Sequence, residues 1–134
     1  MKSSTWSPYL LSVLRIMSAL LFVEHGTSKV FGFPAPPMHP PGPPPPHFMM
    51  LLGQASGPIE LIGGILLAAG LFTRLIAFIL SGEMAVAYFT AHAHNSFYPM
   101  LNKGEIAVLY CFVFLYLAVA GGGPLSLDRL RHRG

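Results

Sequence analysis

Charge is what this sequence has least of. Of its 134 residues, eight are Lys or Arg and five are Asp or Glu, 10% in all, against about 25% in a typical soluble domain. So few charges cannot solvate a globule of this size. That argues against a water-soluble monomer and against a soluble enzyme with a charged rim. Cysteine is nearly absent too. Cys111 is single, so neither an intrachain disulfide nor a CxxC pair can form, which disfavours a membrane thiol oxidoreductase working through its own cysteines. Within Leu109-Tyr110-Cys111-Phe112-Val113, Cys111 reads as a small apolar filler. Disorder is excluded for the opposite reason, since 53% of residues are hydrophobic and the mean hydropathy is +0.58. An integral membrane protein remains, with room for about four spans of roughly 20 residues each.

The formal net charge of +3 does not point to nucleic acid. Arg129, Arg131, His132 and Arg133 crowd the end of the chain, and no aromatic or base-reading motif accompanies them. A basic tail behind an apolar run is the usual cytoplasmic flank of a membrane helix.

Along the chain, the reading is an all-α, multi-pass inner-membrane four-helix bundle forming a single domain over 1–134. Spans are expected at about 9–31, 50–72, 74–92 and 104–121. The first opens like a secretory signal, with Lys2 ahead of an apolar run. Arg15 interrupts that run and no small-x-small cleavage site follows, so a retained span is expected. Residues 33–47 hold nine of the 13 prolines, a run that cannot be helical and favours stiff polyproline II outside the membrane. In the second span, Pro58 is read as tolerated near a helix start, and the small residues at 63, 64, 68 and 69 as one face for a close neighbour. Gly70-Leu71-Phe72-Thr73-Arg74 reads as a tight turn in which Gly70 ends one helix, Thr73 caps the next and Arg74 stops at the interface. Ile106 to Ala120 carries no charge at all, the clearest membrane signal in the chain.

Orientation follows from the basic residues. With both termini inside, the cytoplasmic side holds Lys2, Arg74, Arg129, Arg131 and Arg133, with Arg15 nearer that side. Lys29 and Lys103 alone fall outside. The proline-rich loop and the loop from His92 to Lys103 then face outward.

The acids are the most informative residues. Glu24, Glu60, Glu83 and Glu105 place one carboxylate on each expected helix. A charge at the bilayer centre costs about 2.5–3.5 kcal/mol on insertion scales. One on every helix points to a shared polar interior, in which these glutamates handle protons. Glu83 should lie about two turns deeper than the others. His25 and Lys29, four apart on one helix face, and His92 and His94 at the outer end of the third helix complete an outward-facing cavity as candidate ligand-binding residues. The alternative is structural: the carboxylates pair with Lys29, Lys103 or Arg15, or stay protonated within the bundle. No metal site is expected. Di-metal bundles use Glu-x-x-His elements, and Glu24-His25 are adjacent, about 100° apart on a helix. Met38, His39, His47, Met49 and Met50 combine soft and imidazole ligands suited to copper, but a composition-biased loop produces such sets by chance.

With these residues in view, the chain resembles the DoxX family of small four-helix membrane proteins. The likeness lies in Leu14-Arg15, Phe22-Val23-Glu24-His25-Gly26, Lys29-Val30-Phe31-Gly32 and Glu60-Leu61-Ile62-Gly63-Gly64-Ile65-Leu66-Leu67. It continues in Gly70-Leu71-Phe72-Thr73-Arg74, in Gly104-Glu105 through Tyr110, and in Gly121-Gly122-Gly123-Pro124-Leu125-Ser126-Leu127-Asp128. The proline loop is longer and more biased than the family leads one to expect. The resemblance implies the fold more firmly than one activity, because relatives look like quinone-reducing subunits of thiosulfate oxidation or anchors in thiol and superoxide defence. The expectation is a quinone-linked redox or redox-complex subunit, its electrons supplied by substrate or by a partner enzyme. A non-enzymatic scaffold or small-molecule carrier is the alternative. The expected partners are the lipid bilayer and redox-enzyme subunits, with no nucleic acid; a homo-oligomer is left open.

Overall fold

A long apolar segment in lipid folds as a helix because a helix satisfies its own backbone hydrogen bonds. The computed structural model describes residues 5–36, 38 and 42–132, and helices dominate it. They are α1 (Ser7–Phe31), α2 (His47–Ala69), α3 (Thr73–Ala87), α4 (Pro99–Asn102), α5 (Glu105–Ala120) and α6 (Leu127–Arg131). No strand occurs among the described residues. A π-helical turn, Tyr88–His92, extends α3. Lys2, His39 and Arg133, which entered the orientation and copper arguments, lie outside the described residues.

Three helices are long and apolar enough to cross a membrane: α1 with 25 residues, α2 with 23, and α3 with its π extension, 20 in all. The fourth expected span is the apolar α5 of 16 residues, about 24 Å long at 1.5 Å per residue. The hydrocarbon core is about 30 Å thick, so α5 falls short of it. Residues Leu14, Ile62, Phe78 and Phe112 point outward, where lipid would cover them, while Phe22, Leu67, Leu80, Phe114 and Leu117 fill the centre. The protein is an all-helical membrane bundle.

Helix α1 lies along α2, and α3 along α5. Glycine sets the first contact: a Cβ on Gly26 would stand 2.5 Å from the Leu61 backbone nitrogen, and one on Gly64 would stand 2.7 Å from Val23 Cγ2. Gly63 faces the other way, where a Cβ would meet Leu80 Cδ2 of α3 at 2.8 Å. The single small-residue face expected on this helix is therefore two faces, since neighbouring positions point about 100° apart. Pro58 also departs from expectation. It sits inside α2 rather than near its start and is exposed; an interior proline is tolerated in membrane helices, where nearby groups can satisfy the freed carbonyl.

The two helix pairs are tied at one end by Arg15, which is fully buried. Its Nε donates to the Gly122 carbonyl at 2.9 Å. Nη1 donates to Leu67 O at 2.6 Å and to Ala68 O, and Nη2 donates to Leu125 O at 2.6 Å. A helix C-terminus leaves carbonyls unpaired and partly negative, and a guanidinium answers both needs. Arg15 therefore meets backbone carbonyls rather than a carboxylate.

The same end corrects the expected cap. Gly70 ends α2 in the left-handed conformation at φ 72°, as expected. Thr73 does not cap α3; it is the first helical residue. The cap comes from Asp128, whose carboxylate accepts from the amides of Phe72 and Thr73, both at 2.8 Å. Burial works to raise the Asp128 carboxyl, but hydrogen bonding from Thr73 and Phe72 and the charge of Arg131 hold it below its usual range. Arg131 also lies over the Phe72 ring, 4.7 Å from its centroid.

Candidate functional site

Because α1 touches α5 only sparingly, the two helix pairs enclose a space between them at the end away from Arg15. This cavity, of about 1130 Å³, is bounded by α1, α2, α3 with its π turn, and α5. Apolar side chains such as Ile59, Ile79, Val86 and Ile106 make most of its wall. Glu60, Glu83, His25, Lys29 and His92 also line it. The π turn contributes by widening the helix where Thr90, Ala91 and His92 meet the cavity.

Glu24, Glu105 and His94 are not brought there. Glu24 is one residue from His25 on α1 and points to the surface. Glu105 is exposed in the first turn of α5, where the helix dipole favours an anion. His94 is exposed, its Nε2 2.8 Å from the Thr90 carbonyl. The acids thus divide into two facing the interior and two facing outward.

Glu60 is buried to 2% exposure, and its Oε1 accepts from Lys29 Nζ at 2.6 Å. Lys29 donates a second bond to Ser56 Oγ at 2.9 Å. Gly57 makes this reach possible, since a Cβ there would stand 3.0 Å from the Lys29 Cβ. Among the described residues this is the one ion pair, so Lys29 answers Glu60. Glu60 Oε2 has no hydrogen-bond partner, and neither has Glu83 Oε1 or Oε2, although all three atoms are buried. Buried polar atoms nearly always find a partner, because leaving one unpaired costs about 1–3 kcal/mol, more for a charged group. Three such oxygens, on two side chains, lie on the wall of one cavity.

Sequence reasoning missed Tyr110. Its ring lies 5.3 Å from Phe22, 5.4 Å from Phe114 and 6.2 Å from His25, centroid to centroid, and forms an aromatic wall of the cavity. The signal was present: Ala107, Phe114 and Leu117 are the buried residues of α5, and Tyr110 falls on their face at helical spacing. Asn102 was missed as well. It is buried, its Nδ2 donates to the Ser96 carbonyl at 2.9 Å and to Tyr88 Oη at 3.2 Å, and its Oδ1 accepts from the Gly104 amide at 2.8 Å. Its carbonyl also meets His92 Nδ1 at 3.1 Å, which fixes that imidazole at the cavity edge.

Among the described residues no three His, Cys, Asp or Glu side chains converge as a metal site requires. What the arrangement offers is an apolar chamber with a paired lysine, two imidazoles, a phenol and an unpartnered carboxylate. That combination suits a flat or chain-like apolar ligand with one or two oxygen functions.

Comparison with known proteins sets this geometry in a family. A Haemophilus influenzae (strain ATCC 51907 / DSM 11121 / KW20 / Rd) protein named "Uncharacterized protein" is 44% identical over 92% of this chain and 91% of its own length. A Bacillus subtilis (strain 168) protein named "Putative oxidoreductase CatD" is 29% identical over 91% of this chain and 87% of its own. No solved structure matches. The DoxX family model matches residues 10–93, which carry Arg15 of the end clamp and Lys29, Glu60 and Glu83 of the cavity. The chain belongs to the DoxX family.

Proposed function

We propose that the cavity receives the head group of a quinone and that the protein serves as a subunit of a membrane redox system. In this reading it is a multi-pass protein of the inner membrane with both termini cytoplasmic, and the cavity lies toward the outer face. The observation that carries the reading is the buried, unpartnered carboxylate of Glu83 on the wall of a large apolar chamber. The residues present fit such a group. Ile59, Ile79, Val86 and Ile106 offer apolar surface to a ring and its tail. Lys29, His25 and Tyr110 offer donors to a ring oxygen, and Glu83 holds or releases a proton within the chamber. A quinone, when bound, supplies two-electron, two-proton chemistry that no side chain here provides. Electrons come from substrate or from a partner protein. The relative named as an oxidoreductase supports this direction.

The test is chemical extraction of the purified protein. The proposal expects quinone in the extract at close to one per chain, well above that carried by protein-free micelles. Quinone at the micelle level would refute it and would favour a scaffold or carrier role.

A further inference from the structure

We infer that the cavity prefers a ligand whose head donates hydrogen bonds, which within the reading just proposed is the reduced, dihydroxy form of the ring rather than the oxidised dione. The inference rests on that reading for the identity of the ligand and on the unpaired acceptors for its redox form.

Three buried carboxylate oxygens on the cavity walls lack a donor: Glu60 Oε2 and both oxygens of Glu83. An ionised carboxylate only accepts hydrogen bonds; a protonated one donates once and still accepts. The protein's own cations do not supply the missing donors. Lys29 donates to Glu60 Oε1 and Ser56 rather than to these oxygens, Lys103 lines the cavity without bonding either carboxylate, and Arg15 is buried among carbonyls at the opposite end. A quinone oxygen can only accept. Against an ionised Glu83 it adds a fourth acceptor to the cluster and satisfies nothing. Against a protonated Glu83 it takes the one proton and leaves the second oxygen unpaired. A quinol hydroxyl both donates and accepts, so it can pair with Glu83 in either state. Leaving a buried acceptor unmatched weakens binding steeply, because a site built around polar groups rejects the ligand that lacks their partners.

The consequence is thermodynamic. A site that binds the quinol tenfold more tightly than the quinone raises the midpoint potential of the bound couple by about 30 mV. Such a site draws electrons onto the ring and holds the product.

The experiment is anaerobic calorimetric titration of the full chain in micelles, with a protein-free micelle blank. The probes are a short-tailed benzoquinone and the same compound reduced to its quinol. Wild type is expected to bind the quinol at least tenfold more tightly. Glu83→Gln, whose amide donates to a quinone oxygen as readily as it accepts from a quinol, is expected to bring the two affinities within about threefold. Glu83→Leu removes the acceptors and should also lose the preference, so a folding failure in one variant leaves the other to report. Equal affinities in wild type, or tighter quinone binding, would overturn the inference while leaving the quinone site standing. A preference that survives in both variants would overturn the role given to Glu83. Absence of binding by either form would overturn the quinone site itself.

Discussion

Replacing Arg15 by alanine should be the most damaging single change at the closed end of the bundle. Its size can be worked from the carbonyls it serves. The Gly122 carbonyl also receives the Ser12 hydroxyl at 3.3 Å, and Leu67 O receives the Gly70 amide at 3.0 Å, so these two keep a donor. The Ala68 and Leu125 carbonyls have Arg15 as their donor and would be left partly buried and unpaired. At about 1–3 kcal/mol for each stranded group, the loss should be about 4 kcal/mol. Equilibrium unfolding in mixed micelles, followed by circular dichroism, measures it directly. Arg15→Lys keeps the charge but not the planar fork and should recover about half. Arg15→Met, which retains the apolar stem, should recover little. If Arg15→Ala unfolds within about 1 kcal/mol of wild type, below the unsatisfied-group range, the clamp contributes nothing and the account of this end is wrong.

Three further changes follow from the same geometry. Asp128→Asn should weaken the N-terminus of α3 by about 1 kcal/mol, as loss of a helix cap does; because the folded Asp128 is held below its ordinary 3.8, its stabilisation is complete above that value and fades as pH falls through the folded one, so wild type and variant should converge in acid unfolding curves. Lys29→Met strands the buried Glu60 and should cost about 3 kcal/mol, whereas Lys29→Met with Glu60→Leu should recover most of it; a double variant no more stable than the single would contradict the pairing. For topology, a reporter joined to the C-terminus should be cytoplasmic and one placed at Gly42 external, and the opposite result would put the cavity on the other side of the membrane.

How much of this was legible in the sequence depends on the kind of mark each residue carries. Glu60 and Glu83 stood out because a carboxylate inside an apolar run is costly and therefore conspicuous. The same reasoning over-reached at Glu24 and Glu105, since a helix end lets a charge turn outward at little cost, and one step along a helix turns a side chain by about 100°. Arg15 was conspicuous too, but its partners were not. Backbone carbonyls have no letter in the sequence, and those it meets come from the end of α2 and from the segment around Gly122 and Leu125, remote in the chain. Asp128 was noted only as the last residue of a family-like block and proved to be the cap of α3, a role visible only once the C-terminal segment meets the start of that helix. Tyr110 was hidden by an apolar run in which nothing but helical phase separates the lining side chain from its lipid-facing neighbours. The π turn at Tyr88–His92 had no sequence mark that pattern reading could use.

The central claim, that a redox-active ring sits between the two helix pairs against Glu83, is tested most directly by photolabelling. A short-tailed azidoquinone, activated on the purified protein and mapped by peptide mass spectrometry, should mark the cavity face of α2 near Ile59 and Glu60 and the stretch of α3 from Ile79 to Ala87. An excess of unlabelled quinol should suppress both labels. Labelling spread over the lipid-facing residues Ile62, Phe78 and Phe112, unchanged by competitor, would contradict the claim.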